Sequence, residues 1–361
     1  MEKIVLAIKS LFSKSGRNLL RMAFVNRIAI PLFKMQSWLP KSYILGPTTV
    51  NIEPTNRCNL NCSMCVRKFW DPAANPLGDM TFEFFEKHIL GHLKPYQTVN
   101  LQCVGESLIS KDFFTMLQVC KSKGCRTTFT TNGVILRKHA DDIVSLGADE
   151  ICVSVDGIDA MKKWRSIDVG RVTDGIDAVN EAKRSQNRRT PLVTVNCIVT
   201  RDSLHELADL TELLGKKGVA RITFIHLVAY DVSLVDQSVI PIYAEAEKVF
   251  DMVETIAKRY RMQLILPPKP GTDFKCLQPF LALFINWNGD ARPCCMSTIN
   301  EKGALLVGNV TKNSLSSLWN NSYMHHLRKA LRNEKELPEM CLHCPMRRCD
   351  LETHTHFFNA K

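Results

Sequence analysis

The 361-residue sequence lacks an apolar run that could cross a membrane. Its apolar stretch near the start, residues 23–33, is interrupted by Asn26 and Arg27 and is far shorter than the roughly 20 residues that a spanning helix needs. A cleavable secretory signal, internal repeats and low-complexity tracts are also missing. We therefore expect a cytoplasmic protein, with membrane association as the alternative.

Acidic residues are scarce relative to basic ones, 36 against 47, which gives a formal net charge of +11. An excess of basic residues suits binding to an anionic substrate or surface, but it does not indicate which of these is bound. Cysteine, in contrast, is plentiful, with 14 residues. A chain of this length, 45% hydrophobic, can bury a core without the disulfides that small secreted folds need. Metal binding or redox chemistry is therefore the better explanation of the cysteines.

The sequence divides into four parts. Residues 1–47 read as a basic amphipathic helical extension, which we expect to pack on the body of the protein, the alternative being an in-plane membrane anchor or a docking surface. Residues 48–235 alternate strands and helices, residues 236–270 form a connecting helix and a Pro-rich linker, and residues 271–361 are rich in cysteine.

The alternating part contains six short strand-like runs with amphipathic helical stretches between them. The runs cover residues 50–53, 99–104, 127–130, 151–155, 192–199 and 221–227. Such units with right-handed crossovers predict an α/β fold, a partial (β/α)6 barrel of parallel strands. Chemistry is then expected at the carboxyl ends of the strands.

Cys58, Cys62 and Cys65 form a C-x3-C-x2-C loop directly after the first strand. Three thiolates on one short loop can bind three irons of a 4Fe–4S cubane and leave the fourth iron open to a small molecule. The alternative is a zinc knuckle, but zinc sites favour paired C-x2-C units and a fourth nearby ligand. An open-iron cluster is the better prediction.

This loop, and the motifs that follow it in order, resemble the radical S-adenosylmethionine (radical SAM) superfamily over most of residues 48–230. The motifs are Gly105-Glu106-Ser107-Leu108, Thr131-Asn132-Gly133, Ser154-Val155-Asp156-Gly157 and Arg165. Two positions depart from the family pattern, since Ser107 replaces a proline and Met64 replaces an aromatic residue.

The resemblance implies that these residues bind S-adenosylmethionine. Gly105 and Glu106 would contact the amino group of its methionine moiety, and Asn132 belongs to the same cofactor-binding set. Ser154 and Asp156 would approach its ribose or carboxylate. The guanidinium of Arg165 could pair with the carboxylate in bidentate fashion.

A second cysteine set comprises Cys276, Cys294, Cys341 and Cys344, with a hairpin predicted around Asn288-Gly289. Four thiolates complete either a four-iron cluster or a zinc site, and the spacing alone does not choose. The pattern resembles the SPASM extension of the family or its shortened Twitch form, which implies one auxiliary 4Fe–4S cluster. Cys295 and Cys349 are left over as packing residues or alternate ligands.

The family resemblance implies that reductive cleavage of S-adenosylmethionine yields a 5′-deoxyadenosyl radical, which removes hydrogen from a substrate carbon. An electron donor such as flavodoxin or ferredoxin would be needed. Cys103 lies beside Gly105-Glu106 at a strand end, so its thiol is a candidate hydrogen donor to a substrate radical. The other unassigned cysteines are expected to be small buried residues.

An auxiliary cluster with four protein ligands is suited to accepting an electron, which favours net oxidation. The auxiliary spacing resembles that of an aminocyclitol dehydrogenase, so we expect a sugar-, cyclitol- or alcohol-like substrate. The alternative is a peptide-modifying maturase or epimerase. A hypothesis of another class is a zinc-stabilised protein that binds RNA or a membrane surface, although we expect no nucleic-acid partner for an enzyme of this type.

Overall fold

The computed structural model describes residues 46–298 and 304–359. The predicted N-terminal extension, up to residue 45, lies outside them. Within the described ranges, none of the helices is both long enough and apolar enough to span a bilayer.

The described residues form one sheet of ten strands flanked by helices. The strands are β1 Thr49–Ile52, β2 Thr98–Leu101, β3 Arg126–Thr131, β4 Glu150–Ser154, β5 Leu192–Val199, β6 Arg221–His226, β7 Gln263–Ile265, β8 Ala282–Ile285, β9 Asp290–Arg292 and β10 Gly308–Asn309. The helices are α1 Phe82–His88, α2 Phe113–Ser122, α3 Ala140–Ser145, α4 Asp159–Arg165, α5 Val169–Ser185, α6 Arg201–Leu204, α7 Leu207–Lys216, α8 Tyr243–Arg259, α9 Gln278–Leu281, α10 Leu315–Trp319, α11 Ser322–Asn333, α12 Glu339–Leu342 and α13 Leu351–Asn359.

The predicted α/β barrel is confirmed. Strands β1 to β6 lie side by side in chain order and every neighbouring pair is parallel. The sheet does not close, because β7 extends it beyond β6 while β8, β9 and β10 extend it beyond β1. It is an open, partial barrel whose strand ends share one edge.

Alternation of buried and half-buried residues explains why these segments form strands. In β3 and β6 every second residue is buried, as expected for a strand with one face on a core. Several other strands contribute fully buried side chains, among them Val50 and Ile52 of β1. Each such side chain contributes about 1.5–3 kcal/mol relative to an exposed one.

The C-terminal part joins this barrel through β8, which pairs in parallel with β1 so that Ile285 lies opposite Ile52. Beyond this pairing, the backbone N–H of Glu53 donates to the carbonyl of Ile285 at 2.9 Å. The hairpin predicted around Asn288-Gly289 is therefore attached at the carboxyl end of β1.

A buried arginine holds the helices of the C-terminal part together. Arg328 of α11 is fully buried, stacks over the ring of Trp319 at 4.1 Å and donates from Nε to the carbonyl of Pro279 at 2.8 Å. Burial lowers the pKa of Arg328 to about 9. The carbonyl groups of Pro279 in α9 and Trp319 in α10 accept hydrogen bonds from Arg328 and therefore fix the orientation of α11.

Three segments differ from what the sequence pattern predicts. The pattern predicts one helix over residues 314–331, but the structure has two, because the side chain of Asn321 accepts from the N–H of Met324 and begins α11. The stretch expected as connecting helix and linker contains a strand, β7. The pattern also predicts a helix over residues 175–184, whereas α5 begins at Val169, because Asp168 caps it by accepting from Gly170.

Gly289 gives a test of the hairpin. Its φ of +87° disfavours any L side chain, and an added Cβ would lie 2.7 Å from Phe84 Cζ and 3.0 Å from Val310 Cγ2. We expect Gly289→Ala to lower the free energy of unfolding by roughly 2 kcal/mol, through left-handed backbone strain and this contact. Thermal unfolding measures the change. Gly91→Ala is the matched control, since no atom lies within 4 Å of its added Cβ, and an equal loss in both variants would contradict the prediction.

Candidate active site and metal centres

The loop that leaves β1 carries the first three cysteines. The thiols of Cys58, Cys62 and Cys65 are all free and half-buried. The loop is anchored at its middle, where the N–H of Ser63 donates to the carbonyl of Trp164 at 3.0 Å. Met64 is buried in a small cluster with Trp164. Met64, at the position where the family often has an aromatic residue, therefore packs in the protein interior.

The segment after β2 lies directly against this loop. A Cβ on Gly105 would lie 2.3 Å from the carbonyl oxygen of Thr55 and 2.5 Å from that of Arg57. The next N–H, of Glu106, donates to the same Arg57 oxygen at 2.8 Å. Only glycine allows this approach, so Gly105 fixes the spacing between the cysteine loop and β2.

Glu106 joins two of the predicted motifs. Its carboxylate is 2% exposed and accepts from the hydroxyl of Thr131 at 2.9 Å and the N–H of Asn132 at 2.6 Å. Burial raises the pKa of Glu106, and these donors oppose the shift. The Asn132 amide donates to Asn59 Oδ1 at 2.7 Å and lies 3.7 Å from the sulfur of Cys58. Gly105, Glu106 and Asn132 thus lie together against the cysteine loop.

Asp156 holds Arg165 toward the same loop. Asp156 is fully buried and accepts from Arg165 Nε and from the N–H of Ile198 at 2.9 Å. Burial alone would lower the pKa of Arg165, but the Asp156 carboxylate outweighs it and raises this pKa. Burial also raises the pKa of Cys62 to about 11, and the positive charge of Arg165 opposes that shift. Ser154 ends β4 and is half-buried nearby.

One residue of this site has no local signal in the sequence. Glu206 lies far along the chain from α4, yet its carboxylate accepts from the N–H groups of Ile158, Asp159 and Ala160 at the start of that helix. A Cβ on Gly157 would lie 2.6 Å from both the Glu206 carboxylate and Ala160 Cβ. A carboxylate stabilises a helix N-terminus, so Glu206 fixes the helix that carries Arg165.

The thiols of the second cysteine set lie close enough to affect one another's pKa. Burial, together with the neighbouring thiols Cys294 and Cys276, raises the pKa of the Cys341 and Cys344 thiols to about 12. Cys295 lies beside this set.

Cys349 lies apart from the other C-terminal thiols. Its sulfur donates to the carbonyl of Pro268 at 3.3 Å. It is 1% exposed, which suits a packing residue.

The thiol donors fit iron–sulfur clusters. Among the described residues, no three Cys, His, Asp or Glu side chains close on a common point as ligands of one metal ion. A cubane does not require such a point, because each thiolate binds a different iron. Deprotonating thiols whose pKa is raised by burial is unfavourable unless a metal coordinates them.

A buried acid–thiol pair lies where the two parts meet. Glu53 is 1% exposed and accepts from the N–H groups of Val104 and Trp287, both at 3.2 Å. The Cys103 thiol donates to the same carboxylate and lies beside Thr298. Burial raises the pKa of Glu53 to about 7, and these donors oppose the shift. Cys103 therefore lies between the first loop and the segment that follows Cys294.

The tip of the hairpin also touches the segment after the cysteine loop. A Cβ on Gly78 would lie 2.4 Å from two ring carbons of Trp287. The N–H of Gly78 donates to the side chain of Asn56 at 2.8 Å. The indole ring of the C-terminal part thus covers the backbone that frames the first loop.

An open β/α barrel with three thiols at the end of its first strand, and a four-thiol set on an added domain, defines an iron–sulfur enzyme. Comparison with known families agrees: the model of the radical SAM superfamily matches residues 52–214, and SPASM, an iron–sulfur cluster-binding domain, matches residues 276–345. The chain therefore carries a radical SAM domain over residues 52–214 and a SPASM domain over residues 276–345. Its cofactors are 4Fe–4S clusters and S-adenosylmethionine.

Similar proteins match along most of the chain. A tungsten-containing aldehyde ferredoxin oxidoreductase cofactor-modifying protein of Pyrococcus furiosus is 24% identical over 83% of this chain and 88% of its own. A PqqA peptide cyclase of Rhizobium meliloti is 24% identical over 85% of this chain and 82% of its own.

Among solved structures, two resemble this chain in fold. Streptococcus suis SuiB has a TM-score of 0.62 and 15% identity, covering 91% of this chain and 78% of its own. Native anSMEcpe with bound AdoMet has a TM-score of 0.63 and 15% identity, covering 87% of this chain and 94% of its own.

Glu53 predicts a pH dependence of stability. Its carboxyl pKa is about 7 in the folded protein against 4.5 for an unperturbed glutamate, so the folded state favours the protonated form. The stabilisation is full below the unfolded pKa and is lost as pH rises through 7. Relative to Glu53→Gln, the wild type should lose roughly 3 kcal/mol of stability between pH 4.5 and 8.

Unfolding midpoints of the reconstituted protein across this pH range test the prediction. Glu181→Gln, at an exposed position of α5, is the control. A Glu53→Gln variant that follows the wild type at every pH would show that the carboxyl does not titrate in this window.

Proposed function

We propose that this enzyme cleaves S-adenosylmethionine at the Cys58–Cys62–Cys65 loop and uses the resulting radical to modify a peptide. The observation that carries the substrate class is the similarity to a PqqA peptide cyclase, which extends through both the barrel and the SPASM domain. The proposal is also supported by the two cysteine sets, which lie on the two domains that the family models match.

The cofactor roles follow from the geometry of the first site. Three thiolates on one loop would hold a cluster with one open iron, which supplies the coordination position and the electron for cleavage of S-adenosylmethionine. Arg165 has its Nε on Asp156, which leaves its terminal N–H groups to bind a carboxylate. Asn132 and the backbone beside Gly105 line the same loop.

Glu106 and Asp156 act indirectly in this proposal. Both carboxylates are buried and their oxygens accept hydrogen bonds from protein groups. Glu106 orients Asn132, and Asp156 orients Arg165. Their role is to position the groups that touch the cofactor, rather than to touch its amino group or ribose themselves.

The auxiliary thiols Cys276, Cys294, Cys341 and Cys344 would hold a cluster without an open iron, which is suited to electron transfer. Cys103 lies between that set and the first loop, hydrogen-bonded to Glu53. Its thiol is positioned to give a hydrogen atom to a substrate radical, with Glu53 keeping the thiol protonated. An electron carrier of the flavodoxin or ferredoxin type would supply the reducing electron.

A second candidate is oxidation of a cyclitol or sugar alcohol. It is favoured by the spacing of the auxiliary cysteines, in which Cys276 and Cys294 are followed by a single Cys341-x2-Cys344 pair, enough for one auxiliary cluster. One cluster can accept the electron that a two-electron alcohol oxidation releases.

Product analysis separates the two candidates. The anaerobically reconstituted enzyme is incubated with S-adenosylmethionine, a reductant and either peptides encoded beside its gene or 2-deoxy-scyllo-inosamine. We expect one peptide to change mass and to raise 5′-deoxyadenosine release about tenfold, because a correct substrate excludes water and captures the radical. A triple Cys58→Ala, Cys62→Ala, Cys65→Ala variant is the control. Conversion of the aminocyclitol alone would favour the second candidate and refute the first.

The auxiliary thiols can be tested in the same assay. Cys276→Ala combined with Cys294→Ala should lower bound iron by roughly half, because one of two four-iron clusters is lost. Cleavage of S-adenosylmethionine should persist while product formation stops. Cys349→Ala is the matched control, since that thiol lies apart from the set. Undiminished product in the double variant would show that the auxiliary cluster is not essential.

A further inference from the structure

Arg347 contacts the backbone of two of the auxiliary cysteines. Its backbone N–H donates to the carbonyl of Cys344 at 2.9 Å, and its Nη1 reaches back to the carbonyl of Cys341 at 2.6 Å. Its own carbonyl accepts from the N–H of Phe274 at 2.6 Å, two residues before Cys276. The side chain is thus fixed at the meeting point of the segments that carry three of the four thiols.

One N–H group of the Arg347 guanidinium is buried and is unpaired within the described part of the chain. Arg347 Nε is buried and has no hydrogen-bond partner among the described residues. An unsatisfied buried N–H is destabilising. Sulfur atoms of a cluster held by the surrounding thiolates are acceptors of the kind that would satisfy it.

The positive charge acts on the same thiols. Burial raises the pKa of Cys276, Cys341 and Cys344, and in each case the Arg347 charge opposes the shift. The neighbouring arginine differs: Arg348 is exposed and its Nε lies 3.4 Å from Asp273 Oδ1. Of the two adjacent arginines, Arg347 is therefore the one whose charge acts on the thiols.

We propose that Arg347 raises the reduction potential of the auxiliary iron–sulfur cluster by placing a positive charge and an N–H donor against it. The inference rests on the proposed function, in that the four thiolates hold such a cluster. Reduction adds one negative charge to the cluster, so a nearby cation stabilises the reduced form more than the oxidised form. Hydrogen bonds to cluster sulfur shift the potential in the same direction.

The test is a redox titration followed by electron paramagnetic resonance. The full-length chain carrying Cys58→Ala, Cys62→Ala and Cys65→Ala is reconstituted with iron and sulfide, so that only the auxiliary cluster contributes a signal. Into this parent are placed Arg347→Gln, Arg347→Lys and, as matched control, Arg348→Gln. Iron content is measured for each.

Arg347→Gln should lower the ratio of reduced to oxidised cluster about tenfold at a fixed potential, a fall of 59 mV in the midpoint for a one-electron couple. Arg347→Lys keeps the charge without the Nε donor and should fall by less. Arg348→Gln should keep the parent's midpoint.

The inference is overturned if Arg347→Gln keeps the parent's midpoint at full iron content, or if Arg348→Gln shifts it equally. Loss of the cluster in both Arg347 variants would also overturn it, because Arg347 would then be needed for assembly rather than for tuning. A parent without iron would instead refute the auxiliary site itself, and with it the proposed electron acceptor.

Discussion

The parallel pairing of β1 with β8 holds the two cysteine sets in one body. Because parallel strands place their carboxyl ends at the same edge of a sheet, the loop that leaves β1 and the turn that leaves β8 lie side by side. Glu53 accepts from both the barrel and the hairpin there. A separate C-terminal domain on a flexible linker could not fix Cys103 between the two sites. The sheet is therefore the element that fixes where the two cysteine sets lie relative to each other.

Much of the barrel could be predicted, because its strands are buried apolar runs with turn residues at their ends, and β5 was predicted at its observed bounds. The joining of β8 to β1 could not be predicted. It is a long-range pairing of two short segments, and neither segment contains a residue pattern that identifies the other as its partner. The same reason hid Glu206, whose hydrogen bonds to α4 come from the turn between α6 and α7. The cysteine sets were predictable because iron–sulfur clusters are held by cysteine thiolates at short, recurring spacings.

Three buried carboxylates at this edge of the sheet are stabilised in different ways. Asp156 forms an ion pair with the guanidinium of Arg165 inside the protein. Glu106 has backbone and hydroxyl donors but no such contact. Glu53 has two backbone donors and a thiol, which oppose its burial too weakly to keep its pKa low. Motif patterns identified the first two, since those residues lie in sequence motifs that follow β2 and β4. Only the folded structure shows that the Glu53 carboxyl is buried with a raised pKa.

The contact between Gly78 and Trp287 has a consequence for how such a chain can evolve. A side chain at position 78 has no room while the indole ring lies against it, and a smaller residue at position 287 would leave a void over the backbone beside Asn56. A change at either position is therefore tolerated best when the other changes with it. Gly78 and Trp287, more than two hundred positions apart in the chain, are therefore expected to vary together. Through this contact, the changes that the C-terminal domain tolerates depend on the barrel that it covers.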